Sequence, residues 1–570
     1  MPLPTPKAEW RLFFLAWLLI AAGSLLAHFI QTSGNIQIKD IRFTDTGGRT
    51  LSALLYIPAN ASAETPAPGI LAVHGYINSR EVQSGFAIEF ARRGYVVLAL
   101  DQGGHGYSEA PAFAAGFGGP AGLRYLRSLD IVDTDNIGLE GHSMGGWTIL
   151  AAATAYPDAY RAMVLEGSSV GGGRSAPGTA EWPRNLAVVF SRYDEFANTM
   201  WGVERALDIA DSSRLKELFS TDSSIVPGRI YGDIAAGTAR VLHSPPVTHP
   251  GDHISHTAIG HAIDWFEQTL DGGHPAQVNG QIWFFKELGT LTALLGFVLL
   301  LMGSFAVLLN TGKFKHLRTE PDSFAYDSRT GKWWLSATLS AIIPVLTFYP
   351  LFSWGAQLWP VSSIWPQSIS NQVAFWAIVN ALLLSGLGMV LRARKVSLRQ
   401  QLLPSVQLAL ATVAIAYVAV LLADFLFKTD FRFWFVGVKR MSLDQFQMFL
   451  FYLPLFTFFF ILALRALHAG LSIKADKTSS QYLSNCLVLM GGFLAFLSAQ
   501  YISLFASGQL LTPSEPLNTI VMIQFVPLLL IVGLVSTYCW RRTASHLPGA
   551  LINALWVSWY LVAGQATQFA

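Results

Sequence analysis

Asn136-Ile137-Gly138-Leu139-Glu140-Gly141-His142-Ser143-Met144-Gly145-Gly146-Trp147 is the stretch on which the reading of this chain turns. Its first five residues form a short run of strand character, and Trp147–Tyr156 is apolar, Ala-rich and helix-like. Between them lies Gly-x-Ser-x-Gly, over residues 141–145. A serine on so tight a strand-to-helix turn holds a strained backbone, and bulky neighbours would clash with it, so small residues are required around it. The turn lifts the hydroxyl above the sheet and aims the next backbone N–H, that of Met144, at a developing oxyanion. Alone the pattern is weak: at average frequencies of about 7% for Gly and for Ser, roughly one chain in five of this length would hold it by chance. The strand before it and the helix after it give it weight.

Working outward, residues 35–275 alternate strand-like and helix-like segments, which predicts an α/β domain with a mostly parallel sheet. Strands are expected at Ile36–Phe43, Leu51–Ile57, Gly69–Val73, Tyr95–Leu100, Asn136–Glu140, Ala162–Leu165, Leu186–Phe190 and Arg240–Leu242. Helices are expected at Arg80–Arg93, Trp147–Tyr156 and Ile254–Leu270. His74-Gly75-Tyr76 follows the strand expected beside the one that carries the serine, so the Tyr76 N–H is the candidate second oxyanion donor. Asp101-Gln102-Gly103-Gly104-His105-Gly106-Tyr107-Ser108 reads as a structural Gly-rich turn at the pocket edge.

The acid and base of such a site fall on later strand ends. Leu186–Phe190 runs into Ser191-Arg192-Tyr193-Asp194-Glu195, making Asp194 the candidate acid and Glu195 its alternative. Between the last strand and the closing helix stands Val247-Thr248-His249-Pro250-Gly251-Asp252-His253-Ile254-Ser255-His256. His249 is the candidate base and His253 the alternative; His256 and His261 fall in the expected helix and read as packing or surface residues. A metal centre is the rival reading of a histidine cluster, but no Cys or paired carboxylate completes a ligand set. No metal and no cofactor is expected.

The order Ser143, Asp194, His249, with the His74-Gly75 loop, the Gly103–Ser108 turn, the Gly141–Gly146 elbow and the 249–253 histidines, resembles the α/β hydrolases of the broad esterase, serine-aminopeptidase and dienelactone-hydrolase group. The resemblance covers under half the chain. It implies hydrolysis of an ester, thioester or amide through an acyl-enzyme on Ser143. Only about twenty residues, rich in glycine (Gly171-Gly172-Gly173), separate the strands at 162–165 and 186–190, leaving little room for a helical cap there. The larger insertion at 197–237 is the better candidate to cover the pocket.

The rest of the chain has a different character. Of its 570 residues 52% are hydrophobic and only 13% charged, against about a quarter charged in soluble domains. The net charge of +2 is too small to suggest nucleic acid. The two cysteines, Cys486 and Cys539, sit in apolar runs and form no disulfide framework. Leu12–Ile30 follows Lys7 and Arg11 and exceeds a signal-peptide core in length, so it reads as an uncleaved anchor. Eight more runs approach the roughly 20 residues that cross a bilayer, near Leu288–Leu309, Trp334–Phe352, Val373–Leu391, Val406–Phe427, Phe446–Leu464, Leu483–Leu504, Ile520–Cys539 and Ala550–Val562. The division expected is an anchor (1–34), the α/β domain (35–275) and an all-α polytopic transmembrane domain (280–570).

Basic residues set the orientation through the positive-inside rule. Loops 310–333, 392–403, 465–481 and 540–548 are rich in Lys and Arg, whereas 353–372 carries no charge and 505–518 only Glu515. Loop 428–445 mixes both signs. Nine spans with the N-terminus in the cytoplasm follow, with residues 32–280 outside it. The lipid bilayer and a small-molecule or lipid-like ester or amide are the expected partners; oligomeric state is left open. Phe427–Phe435, with Asp430 and Arg432 among aromatics, reads as an interfacial belt or as a surface that guides an amphiphilic substrate, and Asp424 as a paired or functional charge at membrane depth. A hydrolase, an acyltransferase with the same triad, and a transporter or sensor with a non-catalytic hydrolase-like domain are the function classes to separate.

Overall fold

The computed structural model describes residues 6–172, 175–272, 280–321, 324–390, 401–474 and 476–569. Gly173 and the basic residues of the 392–400 stretch lie outside them. The chain divides into two compact units. One comprises residues 1–25, 289–499 and 517–563; the other comprises residues 26–288, 500–516 and 564–570. Segments 500–516 and 564–570 thus belong with the α/β domain, although the sequence division groups them with the spans.

The elements of the first half are α1 (Pro6–Gln31), β1 (Gln37–Thr44), β2 (Thr50–Ile57), β3 (Ala67–Val73), α2 (Ser84–Arg92), β4 (Val96–Asp101), α3 (Gly119–Arg127), β5 (Val132–His142), α4 (Met144–Ala155), β6 (Ala162–Glu166), β7 (Leu186–Val189), α5 (Ala197–Trp201), α6 (Ser213–Leu218), β8 (Arg240–His243) and α7 (His256–Thr269). The eight strands form one sheet in the order β1-β2-β4-β3-β5-β6-β7-β8. β1 and β2 pair antiparallel, as do β2 and β4, and every other neighbour is parallel. This is the α/β-hydrolase fold, with all eight expected strands present.

Helices cover both faces of the parallel strands, which is why β3 and β4 are buried along their whole length. Alternate residues serve alternate faces. Leu71, Val73, Leu98, Leu100, Leu139 and Leu165 pack with Leu123, Leu126, Ile149 and Leu150 of α3 and α4. Ile70, Ala72, Val97, Ala99 and Val164 pack with Phe86, Phe90, Ile259 and Phe266 of α2 and α7. A Cβ on Gly138 would come within 2.6 Å of the Phe266 ring, so glycine there admits α7 to the sheet. Emptying the site of that ring would cost about 3–5 kcal/mol.

Three local features depart from the expected elements. α2 begins at Ser84 rather than Arg80, because the Arg80 guanidinium is buried in ion pairs with Asp40 and Glu81 and its N–H is bound to Asp101. β5 reaches back to Val132. Helix α3 was not expected: Gly-Pro-Ala-Gly-Leu-Arg-Tyr-Leu-Arg has poor helix propensity. Packing on the sheet holds it, with Gly122 so close that a Cβ would lie 3.1 Å from Leu71.

The helical unit takes in most of α1, of α8 (Trp283–Leu309) and of α14 (Thr478–Ser507), together with α9 (Gly331–Leu346), α10 (Phe348–Leu358), α11 (Ser368–Val390), α12 (Leu402–Phe427), the short strands β9 (Phe431–Phe433) and β10 (Val436–Val438), α13 (Leu443–Gly470), and nearly all of α15 (Pro516–Thr543) and α16 (Leu547–Gly564). Among the described residues eight helices are long and apolar enough to cross a membrane, or nine if α9 and α10 count as one span. Those two were read as one straight run but are bent by 47°. Pro344 lies in the last turn of α9, where it can donate no backbone hydrogen bond, and Thr347 at the break donates its hydroxyl to Ile343 O. α1 and α8 approach through small residues: a Cβ on Gly296 or Gly303 would lie within 2.8 Å of Ile20 or 2.9 Å of Phe13. In the aromatic loop Arg432 pairs with Asp430 and both are buried, and Arg440 lies 2.5 Å from Asp424. The charges are therefore paired.

Candidate active site

β5 ends at His142, and Ser143 turns the chain into α4 with φ 54° and ψ −120°. A non-glycine residue is costly there, and such strain is held only where the surroundings fix it. They do so here. The Ser143 N–H donates to Glu166 O at 2.8 Å, and its carbonyl accepts from Gly146 N–H at 3.0 Å. A Cβ on Gly145 would fall 2.6 Å from His74 O, and one on Gly141 2.7 Å from Gly146 N. Both glycines are demanded by close approach.

The loop after β3 lies against this elbow. A Cβ on Gly75 would stand 3.1 Å from the Ser143 Cβ. Buried His74 anchors the loop: its Nε2 accepts from the Gln102 N–H at 3.2 Å, and its carbonyl accepts from Gln102 Nε2 at 2.5 Å. The backbone N–H groups of Tyr76 and Met144 have no protein acceptor among the described residues. They are two donors beside one serine, as an oxyanion site requires.

Asp194 follows β7, and His249 lies seven residues beyond Leu242 of β8. His249 Nδ1 is 2.8 Å from Asp194 Oδ2, with both residues buried. The other oxygen of Asp194 accepts from the Phe196 N–H at 2.7 Å, and the Phe196 ring stands 4.5 Å from the imidazole. Burial pulls His249 down to about 4. Burial, then the charge of Asp252, lifts Asp194 well above the usual carboxylate range. The imidazole is therefore neutral at ordinary pH, the state a general base needs. No hydrogen bond joins Ser143 Oγ to His249 among the described contacts. His249 is nonetheless adjacent to the elbow, its carbonyl 2.9 Å from Nε2 of His142.

The two alternatives sit elsewhere. Among the described residues Glu195 binds no imidazole; its Oε2 accepts from the His249 backbone N–H at 2.8 Å, and its Oε1 accepts from the Tyr501 hydroxyl at 2.8 Å. Burial, then the charge of Asp194, pushes its carboxyl up to about 8. The His253 ring packs against His142 at 4.1 Å and Phe86 at 6.3 Å. His105 is held at Gly103 O, and burial takes it down to about 3. Asp101 accepts from the N–H groups of Arg80 and Tyr107 and from the Ser52 hydroxyl, which gives the Gly-rich turn a structural role.

Four contributors escaped the sequence reading: Asp252, which binds Ser191 and lies 3.6 Å from His142 Nε2; Phe196; Tyr501; and Gln568, whose Nε2 donates to the Tyr76 hydroxyl at 2.7 Å. Asp252 stands between two candidate histidines and was open to notice. Tyr501 and Gln568 sit in no local motif.

Residues 68–205 match the family model described as alpha/beta hydrolase fold. Among solved structures the chain is similar to an esterase of Pyrococcus furiosus, at 14% identity over 41% of this chain and 92% of the other, with a TM-score of 0.31. A dienelactone hydrolase-like promiscuous phosphotriesterase from metagenomic libraries shows 16% identity over 41% and 99%, TM-score 0.30. Brefeldin A esterase, a bacterial homologue of human hormone sensitive lipase, shows 12% identity over 45% and 86%, TM-score 0.31. No curated protein sequence matches the chain at a significant level. With its mostly parallel eight-stranded sheet and the family match over residues 68–205, the part of this chain that carries the sheet has the α/β-hydrolase fold.

Proposed function

We propose that this protein is a membrane-bound serine hydrolase that cleaves an ester, thioester or amide through an acyl-enzyme. The observation that carries the reading is the buried Asp194–His249 pair, at 2.8 Å, beside a serine held at positive φ between two unpaired N–H donors. Neutral His249 takes the Ser143 proton as the hydroxyl attacks a carbonyl carbon. Asp194 fixes the ring tautomer and stabilises the imidazolium. The N–H groups of Met144 and Tyr76 stabilise the tetrahedral oxyanion, and His249 returns its proton to the leaving group. Water, activated in turn by His249, then releases the acyl group and regenerates the serine.

The domain acts on the extracytoplasmic side in this reading. Besides the basic loops, a parity argument supports nine crossings. Residues 26–288 and 500–516 belong to one compact unit and so share one side of the bilayer. An even number of crossings must separate Trp283 from Tyr501, and that number is reached only if the bent α9–α10 pair crosses together with α8, α11, α12, α13 and α14. The α15–α16 pair then returns residues 564–569 to the same side. The test of the enzymatic reading is reaction of the purified protein with a fluorophosphonate probe and with short p-nitrophenyl esters. Both activities are expected in the wild type and neither in Ser143→Ala; labelling of that variant at another residue would sink the assignment.

A further inference from the structure

The α/β-hydrolase unit contains two segments far from the rest of it in sequence, and each ends on one half of the site. Residues 564–569 run beside the Gly-rich turn. The Thr567 N–H donates to Gly104 O, and the Thr567 carbonyl accepts from Ala112 N–H, both at 2.8 Å. The next residue, Gln568, donates from Nε2 to the Tyr76 hydroxyl at 2.7 Å. The Tyr76 ring is flanked by His105 at 5.8 Å and Phe113 at 5.6 Å. Tyr76 carries an oxyanion donor, and Ile77 after it stands at φ 54°. A β-branched residue in that region is strained, so the loop does not rest in this shape by local preference. Contacts from outside hold it, and Gln568 supplies one at the residue that matters.

Residues 500–516 serve the other half. The Tyr501 hydroxyl donates to Glu195 Oε1 at 2.8 Å, and Glu195 Oε2 receives the His249 N–H at 2.8 Å. Phe505, one helical turn on, packs edge-to-face on Tyr193 at 5.0 Å. The strand end that carries Asp194, and the main chain of the histidine it orients, are thus fastened to the same helix end.

We propose that Gln568 and Tyr501 are positioning residues of the hydrolytic site, Gln568 for the oxyanion loop through Tyr76 and Tyr501 for His249 through Glu195. The proposal rests on the triad reading above. Hydrogen bonds weaken steeply with misalignment, so small displacements of a donor or a base are felt in the transition state more than in substrate binding.

The test uses the full-length purified protein with a p-nitrophenyl ester and a fluorophosphonate probe. Gln568→Ala and Tyr501→Phe are each expected to lower kcat by about tenfold with KM within about twofold, the size of one hydrogen bond. Each should melt within a few degrees of the wild type. Tyr76→Phe keeps the backbone donor and removes the hydroxyl, so Gln568→Ala combined with Tyr76→Phe should be no slower than the worse single variant. Wild-type kcat in both Gln568→Ala and Tyr501→Phe, or losses that multiply in the double variant, would overturn the proposal, as would losses that appear in KM alone. Ser143→Ala keeps the two failures apart. If it still labels, the serine-hydrolase reading fails; if it does not, and Gln568→Ala and Tyr501→Phe label at the wild-type rate, only the positioning role fails.

Discussion

Glu195 and His249 are joined through the main chain and not through the ring: the His249 N–H donates to Glu195 Oε2 at 2.8 Å, while the neighbouring Asp194 takes the imidazole. Two adjacent carboxyls thereby hold one histidine at two points, and their substitutions should part company. Asp194→Asn presents the wrong partner to Nδ1 and is expected to lower kcat by about 10³–10⁴-fold. Glu195→Gln keeps an acceptor for the N–H and should lose about tenfold or less. Steady-state kinetics on a p-nitrophenyl ester decides; equal losses in the two variants would remove the distinction.

The histidines should separate in the same way. His249→Ala is expected to lose essentially all turnover. His253→Ala should retain it within about tenfold while destabilising the domain by roughly 1–3 kcal/mol, because a buried ring between His142 and Phe86 leaves a cavity. Thermal melting beside ester turnover reads both. An inactive, normally folded His253→Ala would move the base to that residue.

pH dependence follows from burial. His249 is held down at about 4, and a base works only when unprotonated. The acidic limb of kcat/KM is therefore expected below pH 6, not at the ordinary histidine value of about 6.5. Stability moves in the same window. Between about 6.5 and 4 the unfolded chain binds a proton at residue 249 that the folded chain does not, so the His249 contribution to stability falls as pH drops through that range, while the raised carboxyls of Asp194 and Glu195, protonated in the folded chain, act in the opposite direction. Buried His105, down at about 3, acts in the same direction as His249. Initial rates from pH 7 to 4 test the limb, and melting of the wild type against His249→Ala over the same range isolates the residue 249 contribution; a limb at or above 6.5 contradicts the assignment.

The nine-crossing topology can be read with single cysteines. Native Cys486 and Cys539 are buried, which leaves a low background. Ala63→Cys in the α/β domain and Ser363→Cys after α10 should react with a membrane-impermeant maleimide on intact spheroplasts, and Lys313→Cys only after lysis. Protection of Ser363→Cys in intact spheroplasts would mean that α9 and α10 form a re-entrant hairpin and not a span.

Sequence alone carried most of the sheet and the strand ends that bear the candidate site, for physical reasons. Strands buried on both faces read as apolar runs, and a serine elbow needs glycines at fixed spacing, so β3 to β8 and Ser143 announced themselves. Helix α3 did not, because tertiary packing around Gly122 overrides its propensity. The choice between Asp194 and Glu195 was open because adjacent residues at a strand end differ only in which way the side chain turns. Gln568 and Tyr501 were invisible because their hydrogen bonds to Tyr76 and Glu195 cross several hundred residues, which leaves no periodicity.

The pairing of residue 568 with residue 76 also sets a clock. A ribosome adding about 5–20 residues per second needs roughly fifteen to sixty seconds to go from His249 to Gln568. Ser143, Asp194 and His249 are all made before the chain has threaded most of its apolar helices, yet the loop beside the serine gains its last contact only afterwards. If Gln568 positions the Tyr76 loop as proposed, full reactivity waits until α16 has been made, and a chain stalled midway would hold Ser143, Asp194 and His249 without the clasp.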